Sequence, residues 1–451
     1  MRGIFGVSTV LLAVTLSGCG DSKTASPTQA ASGGAGGSLS NTGGTSSGGA
    51  NASGGSGGSV IPIKGKCDGL APAGKWENIT PPQLNAAKWC TPDFGTAADS
   101  CGQPEFQNPK TGTTATYGAH SVALDPTHTG TAYLGTSSLG IWKTLDCGSS
   151  WVKSNTGAGG ADLDTGRQWT FVVDPQDSQV LYTTPGYGKE GLFKSTDGGT
   201  NWSQMFPSDL QTSLPYGGWV EKISLDPRDH LHLVISFHTD CKNAPSAGHA
   251  CADGSGNDCW ACMAETPDGG GSWKPLTNSA QSWTEGDGQT VLGGSTWLYG
   301  AYGGNGATGG IWRTTNSGAS WEQVYTGSAS GAALIAKDGT YYVAGQGGLL
   351  HSSDGVSWTP VPNSPGGNTV NGALFIVDTG TNLYASAGQY GGMEPATGWY
   401  SSAPDSDPTQ WSPAFDFAAM DHGGSTLAYD PDHHLLYSAN LTSGLWRVVV
   451  P

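Results

Sequence analysis

The sequence predicts an all-β fold, a single seven-bladed β-propeller. Three observations predict it. A short turn motif, S/T-x-D-x-G-x-x-W, recurs along the chain, a set of short apolar strands surrounds each copy, and the composition suits turns and sheets. Of 451 residues, 73 are Gly and 17 are Trp, while only 12% are charged. Many Gly and Trp with few charged residues disfavour helices and favour turn-rich β structure.

The motif appears as TLDCGSSW (144–151), STDGGTNW (195–202) and TPDGGGSW (266–273). TTNSGASW (314–321) puts Asn316 at the Asp position, SSDGVSW (352–358) is one residue shorter, and a decayed copy runs from Ser401 to Trp411. The physics is local. The Asp carboxylate accepts backbone N–H groups across the turn, Gly supplies positive φ, and Trp packs between sheets. Before each box lies a short strand such as GIWKT (140–144) or GLFKS (191–195). Earlier comes an apolar strand that often ends in Asp-Pro, as in VALDP (122–126), FVVDP (171–175), ISLDP (223–227) and LAYDP (427–431). A strand between them and one starting at the box Trp complete a unit of four antiparallel strands, one propeller blade.

First strands starting near Val122, Phe171, Ile223, Ser295, Ala333, Leu374 and Leu427 give seven blades. The seventh ends SGLWRVVVP (443–451), without a box or a fourth strand. KWENIT (75–80) matches the strand that follows each box Trp. Trp76 to Thr80 is therefore expected to pair with the strand containing Trp446 and to close the ring, removing an exposed edge.

These turns resemble the Asp-box (BNR) repeats of sialidases, xyloglucanases, sortilin-type receptors and a photosystem II assembly factor. The resemblance implies the propeller but not an activity, because the box staples the scaffold. LDPTHTGTAYLGT (124–136) followed by GIWKT is especially similar to the xyloglucanases.

The N-terminus reads as an export signal. Met1-Arg2 precedes an apolar run from Ile4 to Leu16, too short for a permanent membrane span. Leu16-Ser17-Gly18-Cys19 resembles a bacterial lipobox, which implies a signal peptide at 1–18 and a lipid-bearing Cys19. Residues 19–65 are dominated by Gly, Ser, Ala, Thr and Asn and form a tether with an r.m.s. reach of roughly 35 Å. The propeller then occupies 66–451. The expected location is the cell envelope, at the outer membrane or cell surface.

Eight Cys remain besides Cys19, and an even number in an exported chain suggests disulfides. Cys67, Cys90, Cys101 and Cys147 lie in the first part. Cys241, Cys251, Cys259 and Cys262 lie within 22 residues and are expected to form two local disulfides, the alternative being a zinc site. The connectivity stays open.

Formal net charge is −17 with only 19 Lys+Arg, which argues against nucleic acid as a partner. No cofactor or metal is expected, and a monomer is. Long insertions gather on the face opposite the boxes, where function normally sits on a rigid scaffold. The first strand of a blade is innermost, so residues at its leading end should ring the central mouth. His120, Trp169, Glu221 and Asp421-His422 hold comparable places, and Arg167, Tyr187 and Lys222 adjoin them. These eight are the candidate ligand-binding residues. Aromatic residues in or beside these loops, including Trp283, Trp297 and Tyr302, suit sugar stacking.

The expected partner is a polysaccharide or a glycosylated protein. Two alternatives stand beside this. One is a glycan-cleaving enzyme, either a xyloglucanase-like hydrolase or a propeller-type polysaccharide lyase. The hydrolases place their cleft between two propellers with paired carboxylates, and here one propeller is present. Candidate carboxylates are Asp162, Asp164, Glu221, Glu285, Asp287, Glu394 and Asp421. The other alternative is a sortilin-like or assembly-factor-like protein scaffold. Sialidase activity is disfavoured, because that family clamps a carboxylate with three Arg. Of the five Arg in the chain only Arg167 maps to the loop-rich face.

Overall fold

The structure is a computed structural model that describes residues 63–84, 118–186, 188–189, 191–205, 220–237, 263–276, 288–301, 309–345, 348–365, 373–387, 400–415, 424–441 and 443–451. Cys19, Cys90, Cys101, Tyr187, Cys241, Cys251, Cys259, Cys262, Asp421 and His422 lie outside the described residues, as do Trp283 and Tyr302. Among the described residues no helix is long and apolar enough to cross a membrane.

The fold is all-β, with seven four-stranded antiparallel sheets arranged as a propeller. Blade 1 holds Ala119–Leu124, Ala132–Thr136, Ile141–Thr144 and Val152–Lys153. Blade 2 holds Arg167–Val173, Leu181–Gly186, Phe193–Ser195 and Ser203–Gln204. Blade 3 holds Val220–Asp226, Asp229–Phe237, Met263–Thr266 and Lys274–Leu276. Blade 4 holds Gln289–Gly293, Thr296–Ala301, Gly310–Thr314 and Glu322–Tyr325. Blade 5 holds Ala329–Ile335, Tyr341–Gly345, Gly348–Ser352 and Thr359–Pro360. Blade 6 holds Ala373–Asp378, Asn382–Ala387, Tyr400–Pro404 and Ser412–Pro413. Blade 7 holds Thr426–Asp430, Leu435–Ala439, Leu445–Val449 and, from the other end of the chain, Glu77–Asn78. First strands of successive blades contact one another all the way round, so they are the innermost.

Two expectations need correction. The first strand of blade 4 is Gln289–Gly293, not a strand near Ser295; Thr296–Ala301 is the second strand. The tight Gly293-Gly294 turn, with φ of 142° and 55°, hid the boundary between them. Trp297, grouped in sequence with the loop aromatics, is a fully buried core residue whose Nε1 donates to the Gly294 carbonyl.

The recurrent turns behave as their residues dictate. Asp146 Oδ1 accepts Ser150 N at 2.8 Å and Thr144 Oγ1 at 2.7 Å, while Gly148 N donates to Thr144 Oγ1 at 2.9 Å. Asp197, Asp268, Asn316 and Asp354 repeat the pattern. Hydrogen bonding from Ser357 and Val356 N holds the Asp354 carboxyl well below its usual range.

Core residues fall into seven clusters among the described residues, and each spans a seam between two blades. Tyr133 and Ile141 of blade 1, for example, pack with Phe171, Phe193 and Trp202 of blade 2. Polar staples run beside them. Asp430 Oδ2 accepts Gly130 N across the 7–1 seam at 2.8 Å, and Asp174 Oδ2 meets His230 Nδ1 across the 2–3 seam at 2.7 Å. Asp226 accepts Gly294 N across the 3–4 seam. His232 lies between Asp226 Oδ2 and Glu265 Oε1, both at 3.0 Å, and the hydrogen bond to Glu265 raises its pKa against the opposing effect of burial.

The ring closes as the sequence implies. Glu77 pairs with Arg447 and Asn78 with Trp446, and Arg447 Nε donates to Glu77 Oε2 at 3.0 Å. Trp76 is 7% exposed against Tyr400 and Phe415. Residues Ile63–Lys64, at the end of the sequence-assigned tether, pair in parallel with His128–Thr129 of blade 1. Cys67 forms a disulfide with Cys147, with 5.4 Å between Cα atoms. It sits in the blade 1 box, where Cys147 takes the φ of 61° that Gly198 and Gly269 supply elsewhere. A bond spanning 80 residues contributes about 4 kcal/mol in a chain-entropy account.

Removing residues 63–80 bares the Leu445–Val449 edge, so the shortened chain should elute as aggregates by light-scattering chromatography. A soluble monomer of unchanged melting temperature would show that closure lies elsewhere.

Candidate functional site

The described candidate residues lie at the leading ends of first strands, on the face opposite the recurrent turns. Among the described residues, four of these strands carry a bulge at the same place. In blade 1 the ladder steps from Ala119↔Thr136 to Ser121↔Gly135 and skips His120. In blade 2 it steps from Gln168↔Pro185 to Thr170↔Thr184 and skips Trp169. In blade 3 it steps from Val220↔Phe237 to Lys222↔Ser236 and skips Glu221. Blade 6 skips Leu374 in the same way. A bulge bends the strand and re-aims a side chain, and bulges gather beside functional sites. Three residues equated from sequence position alone thus hold one structural position.

A bulge turns a carbonyl out of the ladder, and a buried carbonyl needs a donor. The preceding blade supplies it. Ser425 Oγ and Thr426 Oγ1 of blade 7 donate to the His120 carbonyl at 2.9 and 3.2 Å. Thr170 Oγ1 of blade 2 donates to the Glu221 carbonyl at 2.6 Å, with Thr184 Oγ1 at 3.3 Å. These four hydroxyl residues escaped the sequence reading, because Ser and Thr in strands carry no signal of which carbonyl they face.

The charges of Arg167 in blade 2 and of Lys222 and Glu221 in blade 3 act on His120 of blade 1. His120 is 4% exposed, and neither ring nitrogen has a hydrogen-bond partner among the described residues. Burial lowers its pKa from 6.5 to about 3, helped by the charges of Arg167 and Lys222 and opposed by Glu221. The ring is therefore neutral at ordinary pH. Lys222 Nζ lies 3.4 Å from Glu221 Oε1, and both side chains keep partial exposure. Arg167 is buried and pairs with Gly186 in the ladder. A Cβ on Gly186 would meet the Trp169 indole at 2.3 Å, so the bare Gly186 backbone makes room for that ring. Directly opposed strand residues point to one face, which places the half-buried Trp169 ring on the face of Arg167.

Of the candidate carboxylates, Asp164 is engaged by Lys153 Nζ at 2.7 Å and Asn155 Nδ2 at 2.9 Å, in the 3-10 turn Gly160–Asp164. Tyr187, Asp421 and His422 are not placed. Among the described residues Cys67, Cys147 and His433 have ligand atoms within 4.8 Å of one another, but both sulfurs are in the disulfide.

Residues 271–414 match a family profile described as the DUF6242 beta propeller domain. No curated protein matches the sequence. Among solved structures, YCF48 bound to D1 peptide aligns with a TM-score of 0.50 at 14% identity, covering 76% of this chain and 94% of that one. The GH74 xyloglucanase from Xanthomonas campestris aligns with a TM-score of 0.49 at 17% identity, covering 74% of this chain. This chain spans 52% of that enzyme's length. PorZ, a surface component of the type-IX secretion system of Porphyromonas gingivalis, gives 0.48 at 12% identity, covering 71% of this chain and 45% of that one. At these identities the likeness is one of fold.

A histidine held neutral stabilises the fold fully above its unfolded pKa of 6.5 and loses that contribution as pH falls toward about 3. His120→Gln should therefore flatten the fall in melting temperature between about pH 6 and 4, a difference on the order of a few kcal/mol. An equally steep acid fall in the variant would place the titrating group elsewhere.

Proposed function

We propose that the protein is a membrane-anchored, exported propeller that binds a polysaccharide or a glycosylated partner at its central mouth. The observation that carries this is the set of aligned bulges. They put His120, Trp169 and Glu221 at equivalent positions of three successive blades, and the charges of Arg167, Lys222 and Glu221 act on His120. A partly buried indole beside charged and polar groups suits a sugar, whose ring faces are apolar and whose rim is polar. Turnover would need a second carboxylate about 5–10 Å from Glu221, and reducing-end release from bound polymers tests for it.

Glycan-array binding followed by calorimetry tests the site. Trp169→Ala should weaken the bound glycan about tenfold while moving the melting temperature little. A large stability loss with unaltered affinity would make Trp169 a core residue and the site wrong.

The anchoring is proposed from the Leu16–Cys19 motif. Metabolic labelling with a fatty-acid probe should mark the protein, and Cys19→Ser should abolish the label. Label retained in that variant would refute lipidation at Cys19.

A further inference from the structure

We infer that the Cys67–Cys147 disulfide is a mechanical link, which carries tension from the tether into blade 1 and keeps it off the strand that closes the ring. This rests on the anchoring reading above, since a tether held at a membrane is what applies the load. The order of attachments along the chain leads to it. Ile63–Lys64 dock first, pairing with His128–Thr129, while Gly65 N donates to the Thr129 carbonyl at 2.8 Å and the Gly65 carbonyl meets His433 Nε2 at 3.0 Å. Cys67 comes next, bonded to Cys147 in the blade 1 turn. Only after it comes the closing strand Glu77–Asn78. A pull on the tether therefore meets a covalent bond before it meets that strand. The chain between the two cysteines, 80 positions apart, is bridged and carries no tension. That bridged stretch holds the closing strand and the first three strands of blade 1.

The two paths differ in what resists the pull. The closing strand is held by a two-residue ladder and the buried Trp76. Three flanking hydrogen bonds help it: Gly74 N to the Val449 carbonyl at 2.8 Å, Ile79 N to the Leu445 carbonyl at 2.9 Å and Leu445 N to Thr80 Oγ1 at 2.9 Å. Water replaces such bonds once the strand is drawn out, and the Leu445–Val449 edge is then bare. Cys147 is fully buried and held from both blades of the seam. Its N–H donates to the Gly130 carbonyl of blade 1 at 2.8 Å, and its carbonyl accepts Arg447 Nη1 at 2.7 Å and Tyr437 Oη at 3.2 Å from blade 7. Tension arriving at Cys147 is thus shared across the 7–1 seam. In an antiparallel sheet the first-to-second and third-to-fourth connections share one end, so His128 and Cys147 both lie on the face opposite the candidate mouth. A partner gripped at the mouth and a membrane behind the propeller pull on opposite faces, and the link keeps the ring closed between them.

Single-molecule pulling on the full chain tests this. One handle sits at Thr326, exposed in the connection after blade 4, and the other either on the tether ahead of Ile63 or at the exposed Ser149, two residues past Cys147. The native chain loaded through the tether should give no step beyond the short segment before Cys67 until blade 1 itself yields. Cys67→Ser with Cys147→Ser, loaded the same way, should fail first at a lower force with a step of about 60 Å, the extended length of residues 63–80. The same double variant loaded at Ser149 should lose that step and recover the higher force, because tension then enters blade 1 directly. Where the double variant folds poorly, Cys67→Ser keeps the buried Cys147 side chain and gives the same comparison. A variant that fails at the same low force from Ser149 as from the tether has lost general stability, and the link is overturned. A variant as strong as the native chain when loaded through the tether overturns it too. The traces do not depend on the lipid. Absence of fatty-acid label on Cys19 therefore sinks the anchoring reading and removes the source of load, whereas the traces alone decide the path.

Discussion

In this molecule the hydrophobic effect acts between blades rather than within them. A four-stranded sheet has two faces and no interior, so each blade buries its apolar side chains only against its neighbours. The consequence is visible in the division of the core into seven seam clusters. Such an arrangement is stable only when every seam is filled, and a ring achieves that where an open stack leaves two bare faces. The 7–1 seam is therefore the position on which the other six depend. Among the described residues it is reinforced in several ways. It holds a strand from the N-terminal segment, the Cys67–Cys147 disulfide, the Asp430 staple and a bond from Lys64 Nζ to the Asp432 carbonyl at 2.7 Å.

The staples explain why Asp recurs where a first strand ends. Asp174 Oδ1 caps its own turn through Gln176 N and Asp177 N, and its Oδ2 reaches His230 in the next blade. Asp430 does the same with Asp432 N, His433 and Gly130 N. One carboxylate thus fixes a turn and the angle of a neighbouring blade. The rigidity this creates on one face leaves the opposite face free to carry irregular backbone. The bulges at His120, Trp169 and Glu221 sit there, and neighbouring Ser and Thr hydroxyls satisfy their displaced carbonyls. His120 is one of several buried side chains with polar atoms unpaired among the described residues, and it is the one whose ring leaves both nitrogens so.

The amino-acid sequence by itself determined the class of fold, the blade count, the closing strand and the turns. Each of these rests on interactions between residues close in the chain or on a repeated pattern, such as Asp146 with Ser150 or the apolar run of VALDP. It also ranked His120, Trp169 and Glu221 as equivalent, because strand order makes their positions comparable. It misplaced the first strand of blade 4, since two glycines left no alternation to follow, and it assigned Trp297 to the loops when its ring is fully buried. Only the tertiary structure decided which cysteine Cys67 meets, which carbonyls Thr170 and Ser425 satisfy, and that Arg167 and Lys222 act on the His120 ring. Those pairings join residues from about 50 to more than 300 positions apart, and no local pattern encodes them. They follow from the angle at which one blade meets the next, which is set by how side chains fill the seams.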